Sequence, residues 1–201
     1  MKHFFIFFSA LVSAAATLQG AVNIVVDFET PDFATATVVG TNYASNGFTF
    51  SVDLGSIGIM ESDAIGYNGT QALTPVFDST ATLTVANASN IFDSNRIKID
   101  GIGGSSPTVS VVGTYANNGE TIAQIFSLDS LQGFEEFVFD SSTISGSGSN
   151  VGFSGLSSLT FTSLNETAFQ IDDFAATVVP EPSSALLVGL GAFAYALRRK
   201  R

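Results

Sequence analysis

Between Val22 and Val178 the apolar and aromatic residues come in short runs, split by Gly, Ser, Asn and Asp. These runs predict strands at Val22–Phe28, Gly47–Val52, Ala72–Phe77, Ala81–Val85, Arg96–Ile99, Thr108–Thr114, Thr121–Phe126, Glu135–Phe139, Ser158–Thr162 and Phe169–Val178. Several alternate with period two: Phe48, Phe50 and Val52 share one face, as do Leu83 and Val85, Val109 and Val111, and Leu159 and Phe161, which is the signature of half-buried strands. No helical period of useful length competes. Short strands divided by turn pairs such as Asn46-Gly47 and Asn68-Gly69 predict an all-β domain, a two-sheet antiparallel β-sandwich of jelly-roll type. The chain holds 19 phenylalanines, enough to fill the space between two sheets. The Ser/Gly-rich stretch Ser141–Asn150 reads as a hairpin loop, and the only boundary is Val179–Ser184, so the domain is expected over residues 22–178.

The two ends depart from this texture. Lys2 precedes an apolar run from Phe4 to Val12 and then small residues, the layout of a secretory signal peptide over residues 1–21. Its helix is too short to span a bilayer, and Ala14-Ala15-Ala16, or Gln19-Gly20-Ala21 further on, offers a site for signal peptidase. At the other end Val179-Pro180-Glu181-Pro182-Ser183 is followed by thirteen apolar or small residues, Ala185 to Leu197, and then by Arg198, Arg199, Lys200 and Arg201. As a helix the apolar run covers about 20 Å, short of the ~30 Å hydrocarbon core, so it reads as a temporary stop. The basic cluster stays cytoplasmic, and proline keeps the segment around Glu181 extended and open to an enzyme.

These three features, in this order, closely resemble the PEP-CTERM sorting signal of Gram-negative bacteria. The resemblance covers about the last 23 residues. It implies processing by exosortase, a membrane protease-transpeptidase, with transient inner-membrane anchoring and then display at the cell surface or release to the extracellular matrix. An ordinary C-terminal transmembrane anchor is the alternative.

Removing both ends changes the charge picture. The whole chain carries a formal −11, but without its ends 17 acidic residues face only Arg96 and Lys98, a net charge near −15. Such a body repels phosphate backbones, and no nucleic-acid partner is expected. There is no cysteine, which excludes disulfides, thiolate metal sites and cysteine nucleophiles. The one histidine, His3, lies in the signal segment, so the domain has no imidazole for general-base work.

Two acidic marks remain as candidate chemistry. Asp27-Phe28-Glu29 closes the first predicted strand, and Ile171-Asp172-Asp173-Phe174 lies in the last. First and last strands of a sandwich commonly lie together, so Glu29 and either Asp172 or Asp173, with backbone carbonyls, are candidate ligands for calcium, a hard cation that takes about six to eight oxygens. The pairing is similar to that of jelly-roll carbohydrate-binding modules, where an early Phe-Glu and a late Ile-Asp-Asp supply a structural calcium site. Solvated strand ends are the competing reading. Sugar binding ordinarily uses aromatic platforms, and the chain has no Trp; Tyr67 and Tyr115, on predicted exposed loops, are the candidate ligand contacts, against the plainer reading of tyrosines packed over their own turns.

Glu135 and Glu136 are adjacent on a predicted strand, where neighbours point to opposite faces, so they cannot flank one glycosidic bond. Gly101-Ile102-Gly103-Gly104 has no following helix and reads as a turn rather than a phosphate cradle. The expectation is therefore a non-enzymatic exported protein that meets signal peptidase, the membrane and exosortase on its way, with extracellular polysaccharide as its neighbour. A calcium-stabilised carbohydrate-binding module is the alternative, and a carboxylate-based glycosidase comes third.

Overall fold

A computed structural model of the chain describes residues 21–31, 35–60, 70–76, 81–87, 91–103, 105–131, 133–139 and 152–179. The signal segment, the apolar tail and the helices expected in both lie outside the described residues. Thirteen strands follow in chain order: β1 (Val22–Val26), β2 (Thr37–Gly40), β3 (Asn42–Ser45), β4 (Phe48–Val52), β5 (Ser56–Met60), β6 (Ala72–Val76), β7 (Thr82–Asn87), β8 (Ile91–Gly101), β9 (Thr108–Tyr115), β10 (Thr121–Ser127), β11 (Glu135–Val138), β12 (Leu156–Ser163) and β13 (Phe169–Val179). Each predicted strand falls on one of these, with shifted ends. Three go beyond the prediction: β2, β3 and β5 are short; β2 and β3 lack a clear alternation of apolar residues, whereas β5 alternates at Ile57 and Ile59, both buried. The hairpin signal at Asn46-Gly47 is real: both residues have positive φ, 49° and 81°, which gives the tight turn that sets Ser45 opposite Phe48.

All pairings are antiparallel, and the hydrogen bonds join all thirteen strands into one sheet rather than the two expected; the sheet folds over on itself, so that two runs of strands, called layers below, face each other across the buried rings. In the first, β2, β5, β6, β13, β8 and β11 are neighbours in that order, and β1 takes over from β6 along the second half of β13. In the second, β3, β4, β7, β12, β9 and β10 follow one another. One residue pair, Leu156 opposite Phe92, joins β12 to β8 and so links the layers.

Phenylalanines fill the space between. Phe48 of β4 meets Phe92 of β8 and Phe174 of β13 edge-on, with centroids 5.2 and 5.3 Å away, and Phe28 meets Phe50 at 5.1 Å. Edge-to-face contacts of this kind add to the burial of the rings themselves. At the β10 and β11 edges the layers meet through rings rather than strand pairing: Phe126 stacks on Phe137 at 4.4 Å and touches Phe139. Residues 22–179 form one compact unit.

Gly101 ends β8, and a Cβ there would sit 2.0 Å from the carbonyl oxygen of Ser105. The Gly-rich segment is a close backbone crossing at a strand end, in line with its reading as a turn.

Candidate functional site

The two acidic marks are brought to the same strands. β1 pairs with β13 from Val22 opposite Val178 to Val26 opposite Phe174, so the chain leaving β1 emerges beside Asp172 and Asp173. Phe28 then adopts φ 56°, a conformation that costs most L-residues on the order of 1–2 kcal/mol. Its ring is fully buried against Phe50, which offsets that cost, and the reversal swings Glu29 toward the start of β6. There the backbone N–H of Gln71 donates to Glu29 Oε1 at 2.7 Å, while the Gln71 side-chain amide donates to the Glu29 carbonyl at 3.2 Å.

Asp172 reaches the same segment from the other side. The Thr70 hydroxyl donates to its Oδ2 at 2.7 Å, and the Asp173 backbone N–H donates to its Oδ1 at 2.7 Å. Its side chain is buried, with 2% of the residue exposed. Burial pushes its pKa up to about 6; the two hydrogen bonds pull the other way, and the charges of Asp173 and Glu29 push further up. Asp173 instead pairs with Lys98, and that contact raises the Lys98 pKa. Glu29 and Asp172 thus share one polar cluster around Thr70-Gln71, and Asp173 belongs to an ion pair beside it.

A bulge makes this possible. On β13 the core positions are Phe169 and Ile171, then Phe174, Ala176 and Val178, so the alternation slips by one residue at Asp172-Asp173. The register slips at the same place, between Asp172 opposite Lys98 and Ala175 opposite Arg96, and Asp173 takes φ 46°. Without the extra residue the alternation begun by Phe169 and Ile171 would carry Asp173 into the core; with it, Phe174 occupies that place. The slip in apolar phase was a signal available in the sequence. Thr70 and Gln71 had none: their role appears only once β6 lies beside β13.

The donor set is all oxygen, which suits a hard cation and not a metal that prefers imidazole or thiolate. Among the described residues no three Asp, Glu, His or Cys side chains converge on one point. Glu29 and Asp172 are the two carboxylates that the fold brings to this place.

The other candidates fall elsewhere. Tyr115 is not on an exposed loop: it ends β9, is 7% exposed, and its hydroxyl donates to the Gly152 carbonyl at 2.8 Å, so its ring belongs to the core. The exposed turn after it is Ala116 to Gly119, and period-two alternation from Val109 and Val111 puts Tyr115 inside. Tyr67 lies outside the described residues. Glu136 pairs with Arg96, while Glu135 Oε1 accepts from the Asp129 backbone N–H at 2.9 Å, so the two diverge. Of the sorting residues, Val179 closes β13; Pro180, Glu181, Pro182, Ser183, Arg198, Arg199, Lys200 and Arg201 lie outside the described residues. Among the described residues no helix is long and apolar enough to cross a membrane.

Residues 178–201 match the family model of the PEP-CTERM protein-sorting motif. The tail is a PEP-CTERM sorting signal. The match begins at Val178, within the last residues of β13. No curated protein matches the chain. Among solved structures, the CBM22-1 xylan-binding domain of Paenibacillus barcinonensis Xyn10C is similar with a TM-score of 0.45 at 13% identity, over 81% of this chain and 97% of that one. A family 29 carbohydrate-binding module is similar with a TM-score of 0.44 at 10% identity, over 83% of this chain and 94% of that one.

Proposed function

We propose that this is an exported, non-enzymatic protein of the bacterial cell surface or extracellular matrix, sorted by exosortase and held against extracellular polysaccharide. The observation that carries the sorting part is the PEP-CTERM signal at residues 178–201. Signal peptidase removes the N-terminal segment, the apolar tail anchors the chain in the inner membrane for a time, and exosortase processes it near Pro180-Glu181-Pro182. The role is display and adhesion. In support of the non-enzymatic reading, the one adjacent glutamate pair diverges, and the domain sequence has neither histidine nor cysteine. Intact mass of the protein recovered from the cell envelope tests the reading. Loss of everything after the Pro-Glu-Pro segment is expected, whereas an intact Arg201 would mean a plain membrane anchor.

A second reading, a calcium-stabilised carbohydrate-binding module, is favoured by the meeting of Glu29 and Asp172 around Thr70-Gln71. Calcium bound there would hold the start of β6 against β13 and keep Asp172 ionised. At neutral pH, calcium at about a hundred times its dissociation constant would then raise stability by about 2.7 kcal/mol, read as a higher melting temperature that chelator reverses. Glu29→Gln should abolish the increment. A melting temperature indifferent to calcium would remove this reading and leave the sorting reading untouched.

A further inference from the structure

The outward strand positions of the second layer carry no charge; the carboxylate of Asp53, one residue past β4, borders them and accepts from the Thr82 backbone N–H at 2.7 Å. On β4 the residues alternating away from the core are Thr49 and Ser51; on β7 they are Thr82, Thr84 and Ala86. On β12 they are Ser158, Thr160 and Thr162, on β9 Ser110, Val112 and Thr114, and on β10 Ala123 and Ile125. Register aligns their hydroxyls into rows. Ser51, Thr84 and Thr160 stand opposite one another in one row, and Thr82, Thr162 and Ser110 in the next. Strands about 4.8 Å apart, with same-face residues about 6.8 Å apart along each, turn this into a repeating grid of hydroxyls. The Thr82 and Thr162 hydroxyls lie 3.4 Å from each other, so they are held upright side by side.

The chemistry of this face selects its occupant. With no cation on its strand positions it offers a polyanion nothing to pair with, and a domain with a net charge near −15 repels one over the Debye length of about 8–10 Å. It also lacks the Trp, Tyr and Arg anchors that dominate tight protein interfaces. An uncharged polymer bearing many hydroxyls suits it: each Ser or Thr both donates and accepts, and Val112 and Ile125, the latter 57% exposed, give C–H edges a place to rest.

We propose that the outward face of β4, β7, β12, β9 and β10 docks uncharged polysaccharide on its serine and threonine hydroxyls, with no aromatic platform. This rests on the polysaccharide association proposed above and names the surface and the polymer class. A hydroxyl exchanging water for sugar gains little at each contact, so affinity has to come from many contacts made together. Retention therefore rises with polymer length and vanishes for short oligosaccharides.

Affinity electrophoresis of the purified protein tests this in gels containing a long neutral glucan, a galactomannan or alginate. Retardation by a neutral polymer and none by alginate is expected. Thr84→Val, Thr160→Val and Thr162→Val together keep shape and strand preference while deleting hydroxyls; they should weaken apparent affinity about tenfold or more, with an unchanged melting temperature. Thr160→Glu, which sets a charge at the centre of the grid, should do the same, and Glu136→Gln on the first layer should not. If the triple variant is retarded like the wild type, the face assignment falls and the polysaccharide association stands. If no gel, neutral or alginate, retards the wild type, both fall. Stronger retardation in alginate than in the neutral gels overturns the choice of an uncharged polymer.

Discussion

The two layers share one core and present opposite chemistry outward. The first carries both cations of the domain, Arg96 and Lys98, each paired with a carboxylate, together with the buried Asp172 cluster. The second shows hydroxyls and small side chains in register and no ionisable group on its outward strand positions. On the first layer polar side chains hold the chain to itself: Glu29 to Gln71, Thr70 to Asp172, Lys98 to Asp173. On the second, Thr82 and Thr162 share a hydroxyl contact, and the other outward strand hydroxyls among the described residues make no such long-range tie. The two sides of one folded sheet can thus differ in outward chemistry, because both draw on the same buried rings.

The largest effect should come where the layers meet. Phe174→Ala removes a fully buried ring that touches Phe48, Phe50 and Phe92, and about 3–5 kcal/mol of stability should go with it. Denaturant unfolding measures this; a loss below about 1 kcal/mol would mean the layers are not interlocked at that ring.

Next comes the pH dependence that separates the two faces. Asp172 has a folded pKa near 6, above the ordinary unfolded value of about 3.9. The folded state therefore holds its proton more tightly. The stabilisation is complete below about pH 4 and is lost as pH rises through 6, a shift of two units worth at most about 3 kcal/mol. Glu29, Asp173 and Lys98 are the charged groups around it, and calcium would mask the effect by keeping the carboxylate ionised. In chelator-treated protein the melting temperature should be higher at pH 4.5 than at 7.5, and Asp172→Asn should flatten much of that slope. The triple valine variant of the second layer should keep it in full. An Asp172→Asn slope equal to the wild type would show that the first layer owes no pH dependence to this burial.

The strands of the second layer were nearly all legible in the sequence because each predicted stretch obeys one alternation, as Val109 and Val111 or Leu159 and Phe161 do; the slip in β12, between Leu156 and Ser158, falls before the predicted stretch. The first layer was harder to read. Its central strand changes phase at Asp172-Asp173, and its edge strand β2 carries too few apolar residues to declare itself. The acidic site was half legible. Chain order placed Glu29 beside the last strand, but the choice between Asp172 and Asp173 depended on a bulge, and Thr70 and Gln71 entered through a pairing between distant segments. Tyr115 was misplaced because the turn begins one residue later than its composition suggested. The outward hydroxyl grid was invisible strand by strand, since a threonine facing solvent is unremarkable until register sets it beside others.

The smallest effects should be single surface changes, and there the two layers part in kind. Arg96→Ala breaks an exposed pair with Glu136, worth about 0–1 kcal/mol and less at high salt. Thr160→Val should change stability by no more than about 0.5 kcal/mol, with no salt dependence, because the position is half-exposed and valine suits a strand as well as threonine does. Unfolding at low and high salt compares them directly. A salt-dependent loss at Thr160 would mean that its hydroxyl belongs to an ionic network, and the contrast between a self-bound face and a free one would break at its centre.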